Sequence, residues 1–195
     1  MRYLRSLIIV AVIIIISHCG HMPDMHYYTF NYSPALQRTQ SSFDGTIGVS
    51  KFSALAPYDQ DRIVYRRSPH EVEFYHYHRW IMPPGDLIQQ KLWADLDESH
   101  LFRRVVLYPT NNDIDFLLRG HILQMEEWDE EDKWMAHFKI QVEIIDIKTN
   151  NPLLQNIFTE QEQITERSAV GVVKAINSCL QRCSGKMLSQ LENLR

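Results

Sequence analysis

Glycine and proline are scarce in these 195 residues, at 7 and 8, and no segment repeats at a fixed period. That excludes low-complexity linkers and solenoid arrays. There is no Gly-rich phosphate loop, no G-x-S-x-G and no catalytic signature around a cysteine, so the familiar marks of phosphate binding and nucleophilic catalysis are missing. Long hydrophobic runs are missing as well. LIIVAVIIII, from Leu7 to Ile16, falls short of the ~20 residues that cross a bilayer core. A surplus of positive charge is absent: 20 Lys plus Arg stand against 24 Asp plus Glu. Neutralising phosphates requires a basic face, so nucleic-acid binding is excluded as the main activity.

What is present begins with a targeting segment. Arg2 and Arg5 precede the short apolar run, which ends in Ser17, His18, Cys19 and Gly20. That is the shape of a secretory signal over residues 1–18. A cysteine directly after the apolar core resembles a bacterial lipobox, with Cys19 as the lipidated mature N-terminus; His18 departs from the small residue usual there. Loss of Arg2 and Arg5 with the signal takes the formal charge from −4 to −6. Residues 19–25 read as a tether and 26–195 as one domain, a size that supports a single core.

Cys179 and Cys183 stand four apart in a helical pattern. Helical neighbours at that spacing keep their Cβ atoms ~5–6 Å apart, too far for a disulfide unless the helix unwinds, and Cys183 reads as a small buried hydrophobe. The helix that carries them, from Ala169, has an apolar stripe of Ala169, Val172, Val173, Ile176, Leu180, Cys183, Met187, Leu191 and Leu194. A second helix follows Pro83–Gly85, with Leu87, Ile88, Leu92 and Leu96 on one face.

Strands are expected over 26–32, 46–52, 62–67, 71–80, 101–108 and 153–164. A long hairpin shows the clearest alternation. Trp134, Ala136, Phe138, Ile140, Val142 and Ile144 share one face, while His137, Lys139, Gln141 and Glu143 share the other. One buried and one wet face is the mark of an antiparallel sheet. The acidic tip of this hairpin, EEWDEEDKW at 126–134, reads as a solvated end. The fold class is α+β: a two-layer sandwich with two helices packed on one face of a mixed, mostly antiparallel sheet.

EVEFYHYHRW, residues 71–80, is the most unusual stretch. Regular alternation along a strand would put Val72, Phe74, His76, His78 and Trp80 on one face and Tyr75, Tyr77 and Arg79 on the other. His76 and His78 would then be spaced for one metal, but a zinc site needs further ligands, and nothing in the sequence fixes His70 or His121 beside them. No metal, cofactor or catalytic residue is therefore expected.

RIVYRRSPHEVEFYHYHRWIMPP (62–84), HYYTF (26–30), the hairpin segments from Asp113 to Leu154, FTEQEQI (158–164) and the helix from Ala169 follow one another as in the ABC-type transport auxiliary lipoproteins, which this chain resembles over nearly its whole mature length. The resemblance implies a non-enzymatic, membrane-anchored accessory. Its partner would be the MCE-type (mammalian-cell-entry) protein of an ABC system moving lipids or hydrophobic solutes between envelope membranes. It implies a place on the periplasmic face of the outer membrane, since no aspartate follows Cys19, and allows a homo-oligomer. Arg66, Tyr75, Tyr77 and Arg79 are then candidate partner contacts, because tyrosine and arginine are frequent interface anchors. Two alternatives stand beside this reading: a periplasmic metal-dependent enzyme using His76 and His78, and a lipoprotein that carries lipid itself.

Overall fold

A computed structural model of the protein describes residues 23–34, 43–130 and 133–194. Cys19, the signal segment and the turn of the long hairpin lie outside the described residues. In chain order the elements are β1 (His26–Tyr28), β2 (Phe43–Ser50), β3 (Ser53–Ala54), β4 (Arg62–Ser68), β5 (Glu71–Trp80), α1 (Pro84–Ser99), β6 (Phe102–Tyr108), β7 (Phe116–Glu130), β8 (Lys133–Asp146), β9 (Pro152–Gln163) and α2 (Ala169–Glu192).

β7 is the spine of a mixed sheet. Along one edge it pairs throughout with β8, which pairs with β9. Along the other edge β2, β3 and β4 take successive stretches, at 116–118, 121–122 and 126–128. The sheet therefore forks. One branch continues from β2 to β6, the other from β4 to β5 and β1. The β7/β8 and β8/β9 ladders are long and antiparallel, whereas the shorter pairings of β7 with β2, β3 and β4 are parallel. By ladder length the sheet is mostly antiparallel, as the alternation in β8 implies.

Both helices cover the same face. Ala136, Phe138, Ile140, Val142 and Ile144 are all buried, and Leu92 of α1 meets Cys183 and Met187 of α2 over Ile140 and Val142. Pro84 opens α1 with a ring already suited to helical φ, and Ser168 caps α2 by accepting from Gly171 N–H at 3.1 Å. Of the predicted stripe on α2, Leu194 alone is exposed, because the helix ends at Glu192. Cys179 and Cys183 are free and buried in this unbroken helix, and burial pushes the Cys179 thiol up to about 12. Gly120 lets Phe52 lie flat against the spine; a Cβ there would collide with the Phe52 ring and the Gln141 carbonyl.

The first strand is shorter than its aromatic composition predicts. Beyond Tyr28 the chain turns to α2 for its hydrogen bonds. Asn31 N–H donates to Asn177 Oδ1 at 2.9 Å, and Gln181 donates to the Ser33 carbonyl at 2.9 Å. Asp95 on α1 anchors the same segment. Its fully buried carboxylate accepts from Tyr32 Oη at 2.8 Å and Ser184 Oγ at 2.5 Å, and it is ion-paired to Lys91.

Candidate functional site

Glu126 and Glu127, at the start of the acidic segment read as a solvated tip, are buried, whereas Glu130 and Lys133 are exposed. β7 runs on to Glu130 because β4 pairs beside it, and Glu126 and Glu127 are each only 1% exposed. A register shift between Ile122 and Gln124 decides which way each points. Cross-strand partners share a face. Glu127 stands opposite buried Ala136, so it faces the helix side; Glu126 stands opposite His137 and faces the other side.

Glu126 is fully coordinated. It accepts from Tyr58 Oη and Arg66 Nε, both at 2.7 Å, from Gln124 Nε2 at 2.8 Å and from Trp128 Nε1 at 2.9 Å. Burial alone would raise its pKa, but hydrogen bonds from Gln124, Arg66, Tyr58 and Trp128 outweigh that and hold the carboxyl below its ordinary range. His137 beside this cluster is held below the usual imidazole value by burial, against the pull of Glu126 and Glu130.

Glu127 is provided for differently. Its carboxylate accepts from Tyr75 Oη at 2.6 Å, and no Lys, Arg or His among the described residues forms an ion pair with it. Burial therefore dominates and raises its pKa; the Tyr75 hydrogen bond opposes this without reversing it. Glu127 lies in a cleft of about 340 Å³ walled by Tyr65, Phe74, Tyr75, Tyr77 and Trp134. Asp129, Arg67, His76 and His78 complete the lining.

The aromatic wall depends on a bulge in β5. Val64 pairs with Phe74 and Arg62 with Arg79, so two steps along β4 match five along β5. Three extra residues invert the alternation. This corrects the regular two-faced strand expected for 71–80. Tyr75 and His78 come to the same side, with ring centroids 5.9 Å apart. Val72 is left 37% exposed, outside the apolar core. His78 stacks on His26 at 5.0 Å and shares a hydrogen bond of 2.8 Å between its Nδ1 and Tyr28 Oη, while His76 stays exposed. Burial, then the neighbouring His26, lowers the His78 pKa. Among the described residues no three His, Cys, Asp or Glu side chains converge as metal ligands.

Of the four candidate contacts, Tyr75 and Tyr77 meet at the cleft. Arg66 is engaged with Glu126 on the opposite face, and Arg79 with Asp61 at 3.1 Å. Tyr77 is the most accessible of them at 43%. Glu126 and Glu127 escaped sequence reasoning because an acidic run beside a turn looks solvated, and the register shift between Ile122 and Gln124 breaks the alternation before it reaches them.

The family of ABC-type transport auxiliary lipoprotein components matches residues 28–187. No curated protein matches the chain. The crystal structure of a Xanthomonas campestris protein assigned to the DUF330 family superposes with a TM-score of 0.72 at 16% identity, covering 86% of this chain and 97% of that one. A second crystal structure, of an uncharacterised protein, gives 0.63 at 12% identity over 86% and 98% of the two chains. PelC of Paraburkholderia phytofirmans, described as a dodecamer, is similar at 0.47 and 15% identity, over 83% and 92%. For the first two structures, at such identities, the likeness is one of fold.

Proposed function

This chain belongs to the family of ABC-type transport auxiliary lipoproteins, and on that premise we propose that it is a non-catalytic envelope accessory whose partner is the MCE-type protein of an ABC system moving lipids or hydrophobic solutes. Residues 1–18 serve as its signal, Cys19 carries the lipid, 19–25 form the tether, and residues 26–195 stand as one domain on the periplasmic face of the outer membrane. The observation that carries the reading is the family match across almost the whole described domain. A further support is that polar side chains of β4, β5 and β7 are hydrogen-bonded to one another, as Tyr65 is to Glu73, Arg66 to Glu126 and Tyr75 to Glu127, while Tyr77 is left exposed beside them. Purification of the full-length lipoprotein from cross-linked membranes tests it. Recovery of an MCE-type protein with its ABC subunits is expected; consistent recovery of the lipoprotein alone would overturn the assignment.

Lipidation is checked separately. Cells fed labelled palmitate should label the wild type and leave Cys19→Ser unlabelled, and equal labelling of both would remove the anchor from the proposal.

Tyr77 is the member of the aromatic stretch best placed to touch a partner. Its exposure predicts that Tyr77→Ala changes stability by no more than ~0.5 kcal/mol. Partner binding should weaken by ~1 kcal/mol or more if Tyr77 is an anchor. A large fall in melting temperature with unchanged co-purification would mean that Tyr77 packs the domain rather than the interface.

A further inference from the structure

Adjacent glutamates on β7 are treated unequally. Glu126 has a guanidinium and three further donors. Glu127, equally buried, has one phenol and no ion-pair partner among the described residues. A buried carboxylate without an ion-pair partner is costly, and the attraction of Arg67, which lines the same mainly aromatic cleft, does not outweigh the burial. Aromatic faces carry negative quadrupole density that attracts cations. The cleft rims already display this attraction: Arg67 lies over the Tyr65 ring at 5.5 Å and Arg167 over the Trp134 ring at 5.5 Å. Arg67 is 61% exposed and 3.8–3.9 Å from Glu73 and Asp129, and a ligand cation would take its place against Tyr65.

We propose that this cleft binds the ammonium group of a small organic cation, a primary amine or a choline-type quaternary ammonium, with Glu127 as counter-ion and the rings of Tyr65, Tyr75, Tyr77 and Trp134 as its cage. The cleft volume of about 340 Å³ lies at the small end of ligand sites, which run ~300–1,000 Å³, and admits a headgroup-sized molecule. Burial holds the His78 imidazole below its usual value, so that residue does not compete as a cation at neutral pH. Asp129, 30% exposed at the rim, adds negative potential along the way in. The proposal is independent of which ABC partner the protein serves.

The test is titration of the full-length protein in non-ionic detergent with choline chloride, followed by the indole N–H resonance of Trp134. Choline should shift that resonance saturably. Its neutral carbon isostere, 3,3-dimethylbutan-1-ol, should bind at least about tenfold more weakly. Glu127→Gln keeps an acceptor for Tyr75 and should weaken choline binding by about tenfold. Tyr77→Ala, at an exposed wall, should weaken it by about threefold or more and covers the case in which the glutamine variant fails to fold. Glycerophosphocholine and glycerophosphoethanolamine, compared with choline and ethanolamine, identify the source: tighter binding of the glycerophospho compounds assigns a lipid headgroup, weaker binding a free amine. No shift at tens of millimolar choline, equal binding of the isostere, or unchanged affinity in Glu127→Gln would each overturn the proposal.

Discussion

Replacing Glu126 by glutamine should lower the stability of the domain by about 3 kcal/mol at neutral pH, read as a fall in the urea midpoint with an unchanged slope. Four donors converge on the two oxygens of this carboxylate, at 2.7–2.9 Å. Glutamine keeps one acceptor oxygen but turns an NH₂ donor towards some of the same donors. It also leaves Arg66, whose side chain is 17% exposed, without a counter-charge. The pH dependence provides an independent check. The folded-state pKa of Glu126 is depressed below the ordinary 4.5, so its stabilisation is present above about pH 4.5 and is lost as the pH falls through the folded value. The gap between wild type and Glu126→Gln should therefore narrow in acid. A gap constant from pH 7 to below pH 4 would show that packing, rather than charge, sets the loss. Glu127 has the opposite sign. With its pKa raised, its contribution is fully present below its unfolded value and is lost as the pH rises through the folded one.

Asp95→Ala should be at least as damaging, costing about 3–5 kcal/mol. The carboxylate is fully buried and joins three parts of the chain: Lys91 on its own helix, Ser184 on α2 and Tyr32 on the segment after β1. Removing it leaves Lys91, with a side chain 13% exposed, as a cation without its ion-pair partner. Lys91 Nζ also sits 3.8 Å over the Tyr32 ring, so the charge stays against an aromatic face in place of a carboxylate. Local loosening should accompany the global loss. The Asn31 amide, which donates to Asn177, should exchange with solvent much faster in the variant, because the tyrosine that fastens its segment has lost its acceptor. A loss under about 1 kcal/mol would mean that the desolvation of Asp95 nearly cancels its ion pair in the native protein.

The amino-acid sequence on its own determined those features in which one element's pattern meets one buried face. The α2 stripe from Ala169 to Leu191 is legible because helical geometry repeats every 3.6 residues whatever lies opposite. Ala136, Phe138, Ile140, Val142 and Ile144 are legible because an unbulged strand alternates strictly. The two α1 and α2 faces, the burial of Cys183 and the α+β class follow from such local periodicities, whereas the burial of Cys179, off that stripe, is seen only in the structure. Only the tertiary structure decided the cleft. β5 reads as regular alternation from 71 to 80, and nothing within it announces that three residues bulge out between Phe74 and Arg79. That bulge is set by pairing with β4 on one side and β1 on the other. The opposite facing of Glu126 and Glu127 hangs on a register shift between Ile122 and Gln124 and on strands drawn from distant parts of the chain. Side-chain direction in a sheet inverts with each single-residue slip. The residues of the site could therefore be named from the sequence, while the partners they face depend on registers that form only when the forked sheet assembles.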